Sequence, residues 1–108
     1  MDHVFRISPK KYHRAILALY NFNLKLSELE LDIVSTMLAN DMLEINPETK
    51  EYLRVTLDKD KYATNNYIKR LKDKGILLPN QDGKGYTLNP NIVNLTRDNK
   101  VSFEFIIA

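Results

Sequence analysis

Two adjacent amides, Asn65 and Asn66, lie one helical turn before two adjacent cations, Lys69 and Arg70, in a stretch that also holds Lys59, Lys61, Thr64, Lys72 and Lys74. An Asn side chain can make two hydrogen bonds to an adenine edge, and Arg or Lys can engage guanine in the same way. Lysines around such residues suit phosphates, which fix a protein's position without specifying sequence. The plain reading of the amides is a solubilising polar patch, and of the lysines an ordinary charged helix surface. Lys84 stands between Gly83 and Gly85, where a turn would hold it outward for a phosphate or a minor groove, or simply keep a sheet edge soluble. Asp58, Asp60, Asp73 and Asp82 lie close by and weaken the positive field. That points to modest or dimer-dependent affinity for a polyanion.

Other chemistry has little to work with. His3 and His13 are the only histidines and fit no metal-ligand spacing. The absence of cysteine excludes disulfides and thiolate metal sites. Glu28 and Asp32 share a helix face, but acids at a helix start serve its dipole more often than acid–base catalysis. Gly83-Lys84-Gly85 lacks the spacing of a phosphate-binding loop. No enzyme activity, cofactor or metal is expected.

The chain has 108 residues, the size of a single domain, and 44% hydrophobic residues, an ordinary globular share. The net charge of +2 is small, but its distribution is uneven. Residues 1–25 carry five Lys/Arg and one acid, residues 26–49 carry six acids and no Lys/Arg, and residues 50–108 carry eleven bases and seven acids. Such a chain has one face that repels phosphate and another that could attract it. The basic cluster Lys10, Lys11, His13 and Arg14 could flank a bound nucleic acid or simply be exposed, and it is read as exposed. Apolar runs such as Ala15 to Leu19 are too short to span a bilayer, and the N-terminus lacks the basic-then-apolar order of a signal peptide. No membrane partner and a cytoplasmic location are expected.

The elements that must position these residues follow from periodicity and caps. A short strand is expected over 3–7. Ser8-Pro9 starts a helix through 10–22, with Tyr12, Ile16, Leu19 and Tyr20 on its inner face and Leu17 beside them. Ser27 and Glu30 form a capping box, with Leu26 and Leu31 as its staple, for a helix to about Ala39 with Leu31, Val34 and Leu38 inward. Met42 to Ile45 can pair as a strand. Asn46-Pro47-Glu48 starts a third helix with Tyr52, Leu53 and Thr56 inward. After a break near Leu57–Asp60, a fourth helix covers 61–74, burying Tyr67, Ile68 and Leu71 and ending at Gly75. Ile76–Leu78 and Tyr86–Leu88 form a hairpin, and Asn89-Pro90 starts a last short helix over Asn91–Leu95. Residues 96–100 are a turn, and 101–107 alternate as a strand.

The order helix, helix, strand, helix, helix, hairpin, together with Leu71-Lys72-Asp73-Lys74-Gly75-Ile76-Leu77 and the Gly83–Gly85 turn followed by Tyr86-Thr87-Leu88-Asn89-Pro90, resembles the winged helix-turn-helix family over about residues 26–93. The likeness extends to phage and plasmid regulators and replication initiators. It implies an α+β, mainly α fold: one domain over 1–108, with its core at 8–95 and short terminal strands at 3–7 and 101–107. It also implies a double-stranded DNA partner, helix 61–74 in the major groove and hairpin 76–89 as the flanking wing. The DNA-facing set is then Lys59, Lys61, Thr64, Asn65, Asn66, Lys69, Arg70, Lys72 and Lys84. The role would be transcription regulation or replication, in the host cytoplasm if the chain is phage-encoded.

The alternative is a structural or adaptor protein that uses the same fold for protein contacts, in a virion or polymerase complex. The acids Glu28, Glu30 and Asp32 bear on that choice, and the helix dipole accounts for them without a partner. Val101, Phe103, Phe105 and Ile107 form the apolar side of the last expected strand. That strand would pair with residues 3–7 or add to a second chain and build a homodimer or other complex.

Overall fold

The computed structural model describes residues 11–97. The expected strands 3–7 and 101–107, the Ser8-Pro9 helix start and Val101, Phe103, Phe105 and Ile107 lie outside the described residues, as does the end of the 96–100 turn.

Five helices and three short strands occur in the order α1 (Tyr12–Leu24), α2 (Glu28–Ala39), β1 (Glu44–Ile45), α3 (Pro47–Thr56), α4 (Lys61–Asp73), β2 (Leu77–Pro79), β3 (Tyr86–Leu88) and α5 (Pro90–Leu95). This is an α+β fold, mainly helical, with one small antiparallel sheet of order β1-β3-β2. None of the described helices is long and apolar enough to cross a membrane.

Local chemistry explains most boundaries. Helix α1 runs two residues beyond the expected Phe22, because the break falls at Lys25, which takes a left-handed conformation (φ 56°). The Asn21 carboxamide then clamps the corner: its Oδ1 accepts from the Leu26 N–H at 2.7 Å and its Nδ2 donates to the Leu26 carbonyl at 3.0 Å. The capping box of α2 is formed as expected. Ser27 Oγ accepts from the Glu30 N–H, and the Glu30 carboxylate accepts from the Ser27 N–H, both at 3.2 Å. Asn46 Oδ1 caps α3 at the Thr49 N–H (2.8 Å), with Pro47 in the first turn. Asp58 makes the break between α3 and α4 by adopting φ 52°, a region that Asp tolerates better than most residues.

The core lies where α2 meets the other elements. Leu17, Leu31, Val34, Met37, Leu53, Ile68, Leu71, Leu77 and Leu88 are essentially inaccessible to water. Helix α2 packs against α1, α3 and α4, so it is buried over more of its surface than one stripe, with Ile33 and Met37 added to the expected Leu31, Val34 and Leu38. Elsewhere the expected inner faces need correction. On α1, Leu19 is 56% exposed, while Ile16 and Leu17 carry the packing. On α3, Tyr52 and Thr56 face solvent, and Thr49 joins Leu53 inside. On α4, Tyr67 is only half-buried, at the core's edge.

In the sheet, β3 is central. Glu44 faces Thr87 on one side, and Leu77 and Leu78 face Leu88 and Thr87 on the other. Strand β2 starts one residue later than expected and ends on Pro79, which an edge strand accepts because one side of it needs no ladder donor.

Candidate nucleic-acid interface

Helix α4 is the element that presents the base-reading candidates. Asp60 caps it, its Oδ1 accepting from the Ala63 N–H at 2.7 Å. Thr64, Ile68 and Leu71 recur at i, i+4 and i+7 and are buried. The opposite face therefore carries Tyr62, Asn66 and Lys69, again at i, i+4 and i+7, followed by Asp73, with Asn65 and Arg70 to either side; all six are exposed.

The structure thus brings Asn65, Asn66, Lys69 and Arg70 onto one outward surface, with Lys61 exposed at its first turn. Thr64 is a correction. It was expected to face outward, but it is buried, and its hydroxyl donates to the Asp60 carbonyl at 2.8 Å. A β-branched Thr fits the inner stripe because bonding the carbonyl one turn back satisfies its hydroxyl.

The cations differ in their commitments. Lys74 was read with the phosphate-binding lysines, but its Nζ donates to Glu30 Oε1 at 2.7 Å and to the Lys25 carbonyl at 2.9 Å. It bolts the end of α4 to the start of α2. Lys72 places its Nζ 4.1 Å from the centre of the Tyr86 ring, joining α4 to β3, and the Arg70 guanidinium lies 5.3 Å from the Tyr67 ring one turn back. Lys59, Lys61, Lys69, Arg70 and Lys84 make no ion pair among the described residues.

Beside α4 stands the β2–β3 hairpin. Asn80 organises its turn. Its side-chain nitrogen donates to the Lys84 carbonyl (2.9 Å) and to Glu44 (3.3 Å), its side-chain oxygen accepts from the Thr87 hydroxyl, and its own N–H donates to the Gly85 carbonyl (3.1 Å). Asp82 Oδ1 accepts from the Lys84 N–H at 2.8 Å. Gly85 is held at φ 83°, and a Cβ there would come within 3.3 Å of the Asn80 amide, so both conformation and space favour glycine. Lys84 is exposed on this turn. The Asn80 network escaped sequence reading in part because it ties the hairpin to Glu44, 36 residues earlier.

The acids near the site also have local work. Asp60 and Asp82 accept backbone hydrogen bonds, and Asp58 supplies a turn. Only Asp73 lies on the outward line of α4, at its C-terminal end. Tyr62 is a residue of this outward face that sequence reading missed. Its place one turn before Asn66 and opposite the Thr64–Ile68–Leu71 stripe was the available signal.

The acidic start of α2 is paired within the chain, two of its acids by Arg14 of α1. Arg14 donates to both Glu28 and Asp32, the latter at 3.0 Å. Glu30 is 2% exposed and held by Lys74 and Ser27. Burial works to raise its pKa, but the hydrogen bonds from Lys74 and Ser27 and the Lys74 charge outweigh it, so the carboxyl sits below its ordinary value. The expected exposed cluster of Lys10, Lys11, His13 and Arg14 is likewise revised where it is described, Lys10 lying outside the described residues. Lys11 is exposed, but Arg14 is half-buried and paired. His13 is half-buried, its Nδ1 without a hydrogen-bond partner and its pKa lowered by burial. Among the described residues no three His, Cys, Asp or Glu side chains gather as a metal site.

No protein-family model, curated protein or solved structure matches the chain.

Proposed function

We propose that this chain is a winged helix-turn-helix protein that binds double-stranded DNA, with α4 in the major groove and the β2–β3 hairpin as the flanking wing. The observation that carries the reading is the outward face of α4, where Asn65, Asn66, Lys69 and Arg70 stand exposed and make no ion pair among the described residues, while the acids of α2 are paired within the chain. The element order from α2 to β3 and the β1-β3-β2 sheet support the same fold family. Asn residues would read adenine edges, Lys69 and Arg70 guanine edges or phosphates, and Lys59, Lys61 and Lys84 phosphates. The function is binding, not catalysis, in a regulator or replication factor of phage or mobile-element type acting in the cytoplasm.

Binding should weaken with salt, with a log–log slope of roughly −4 for four or five neutralised phosphates. A gel shift at low salt that shows no complex at tens of micromolar protein, on the order of nonspecific affinities, overturns the proposal.

A second reading, an adaptor that uses the fold for protein contacts, is favoured by one observation. Ala15, Ala18, Leu19 and Phe22 align on the side of α1 away from Ile16 and Leu17, and Phe22 is 86% exposed. Loss of an assembly by Phe22→Ser, with DNA binding absent in both proteins, would favour this reading.

A further inference from the structure

The ring of Tyr62 is the one large apolar group exposed on α4, and it is 78% accessible to water. It occupies the first turn of the helix, directly in line with Asn66 and Lys69. The inner stripe consists of Thr64, Ile68 and Leu71, and Tyr62 stacks on no ring or cation among the described residues.

The major groove offers one apolar knob, the 5-methyl group of thymine. An exposed aromatic ring on a groove-facing line is a natural contact for it, because the ring loses water while the phenol hydroxyl stays wet. The neighbouring side chain on that line is an amide suited to adenine. One helical turn separates Tyr62 from Asn66, about 6 Å along the axis, or nearly two base-pair steps of about 3.4 Å. The two side chains can therefore address bases one or two steps apart.

We propose that Tyr62 is a specificity-determining residue, its ring set against a thymine methyl while Asn66 takes an adenine one or two steps away. The idea rests on the DNA-binding reading above. It adds a base preference that neither the amides nor the lysines supply.

The test uses the strongest duplex the protein selects from a randomised library, alongside the same duplex with deoxyuridine in place of every thymidine. Fluorescence anisotropy gives the two affinities. The wild type should lose about fourfold on the deoxyuridine duplex, the worth of one buried methyl. Tyr62→Phe should keep that sensitivity. Tyr62→Ala should bind both duplexes equally, and more weakly than the wild type binds the thymidine form. Because the ring is exposed, Tyr62→Ala should melt with the wild type; a large drop would make the ring a packing group and overturn the proposal. A wild type indifferent to deoxyuridine overturns it too, as does a Tyr62→Phe that loses as much as Tyr62→Ala, which would mark a hydroxyl–phosphate contact. If the wild type selects no duplex at all, the DNA reading itself fails. That result is distinct from a protein that binds DNA and ignores Tyr62.

Discussion

The start of α2 and the outward face of α4 are both dense in charge, yet the chain treats them in opposite ways. At α2 each acid has an internal answer: Arg14 takes Glu28 and Asp32, and Lys74 takes Glu30. On α4, Lys61, Lys69 and Arg70 have no ion-pair partner among the described residues. The two charged segments look alike as sequence. They differ in whether tertiary structure has already supplied the opposite charge, so unanswered charge indicates a partner better than charge density does.

The largest expected effect lies on the answered side. Lys74→Met leaves the Glu30 carboxylate buried with only Ser27 to support it. Breaking a buried pair costs about 3–5 kcal/mol, and because Lys74 is about a third exposed the loss should be at the low end or slightly below. The pH dependence gives the sharper signature. In the wild type, Glu30 has a pKa below its unfolded value of about 4.3, so its stabilising contribution is present above that pH and is lost as pH falls through the folded value. In Lys74→Met, burial should dominate and raise the pKa. Glu30 would then destabilise the fold at neutral pH, and the variant should recover stability relative to wild type as pH falls toward 4. Urea unfolding from acid to neutral pH measures this. A constant gap between the two proteins would show that Glu30 is not coupled to Lys74.

This pair also marks where the sequence stops being legible. Ser27 and Glu30, Asn46-Pro47, Asn89-Pro90 and Gly75 each declared an element boundary, because caps act within a few residues of the chain. Glu30–Lys74 joins residues 44 apart, and no local rule connects them. Thr64 was misread for a related reason: its hydroxyl looked polar and outward, but the Asp60 carbonyl satisfies it at the edge of the core. Leu19 and Phe22 were assigned by helical period or by the helix end, yet α1 packs mainly on α2, so only one side of it finds cover. The outward side of α4 was more legible. Asn65, Asn66, Lys69 and Arg70 were placed outward by subtracting the buried stripe, a step that should also have exposed Tyr62.

Smaller effects are expected on the unanswered side, and they separate reading from positioning. Asn66→Ala should reduce discrimination against a wrong base by about 1–3 kcal/mol, the worth of one bidentate pair, with little change in binding to random duplex. Competition between the selected duplex and random DNA measures it. A uniform loss on both would make Asn66 a backbone contact. Lys69→Ala should do the reverse: it should weaken binding to all sequences and lower the salt slope by about 1. A salt slope equal to that of wild type would remove Lys69 from the phosphate contacts.

The smallest effect belongs to Arg14. It holds two acids, but Glu28 and Asp32 are both substantially open to water, where a pair contributes no more than about 1 kcal/mol. Arg14→Ala should therefore lower thermal stability only slightly, and the difference should shrink further in high salt as screening weakens the pairs. It should leave DNA affinity nearly unchanged, because Arg14 belongs to the α1–α2 seam and not to the α4 face. If it instead weakened DNA binding as much as Lys69→Ala does, the freed acids of α2 would be repelling the phosphates that α4 attracts. Answering those acids internally would then be part of making the face usable, and the two charged regions would act as one device.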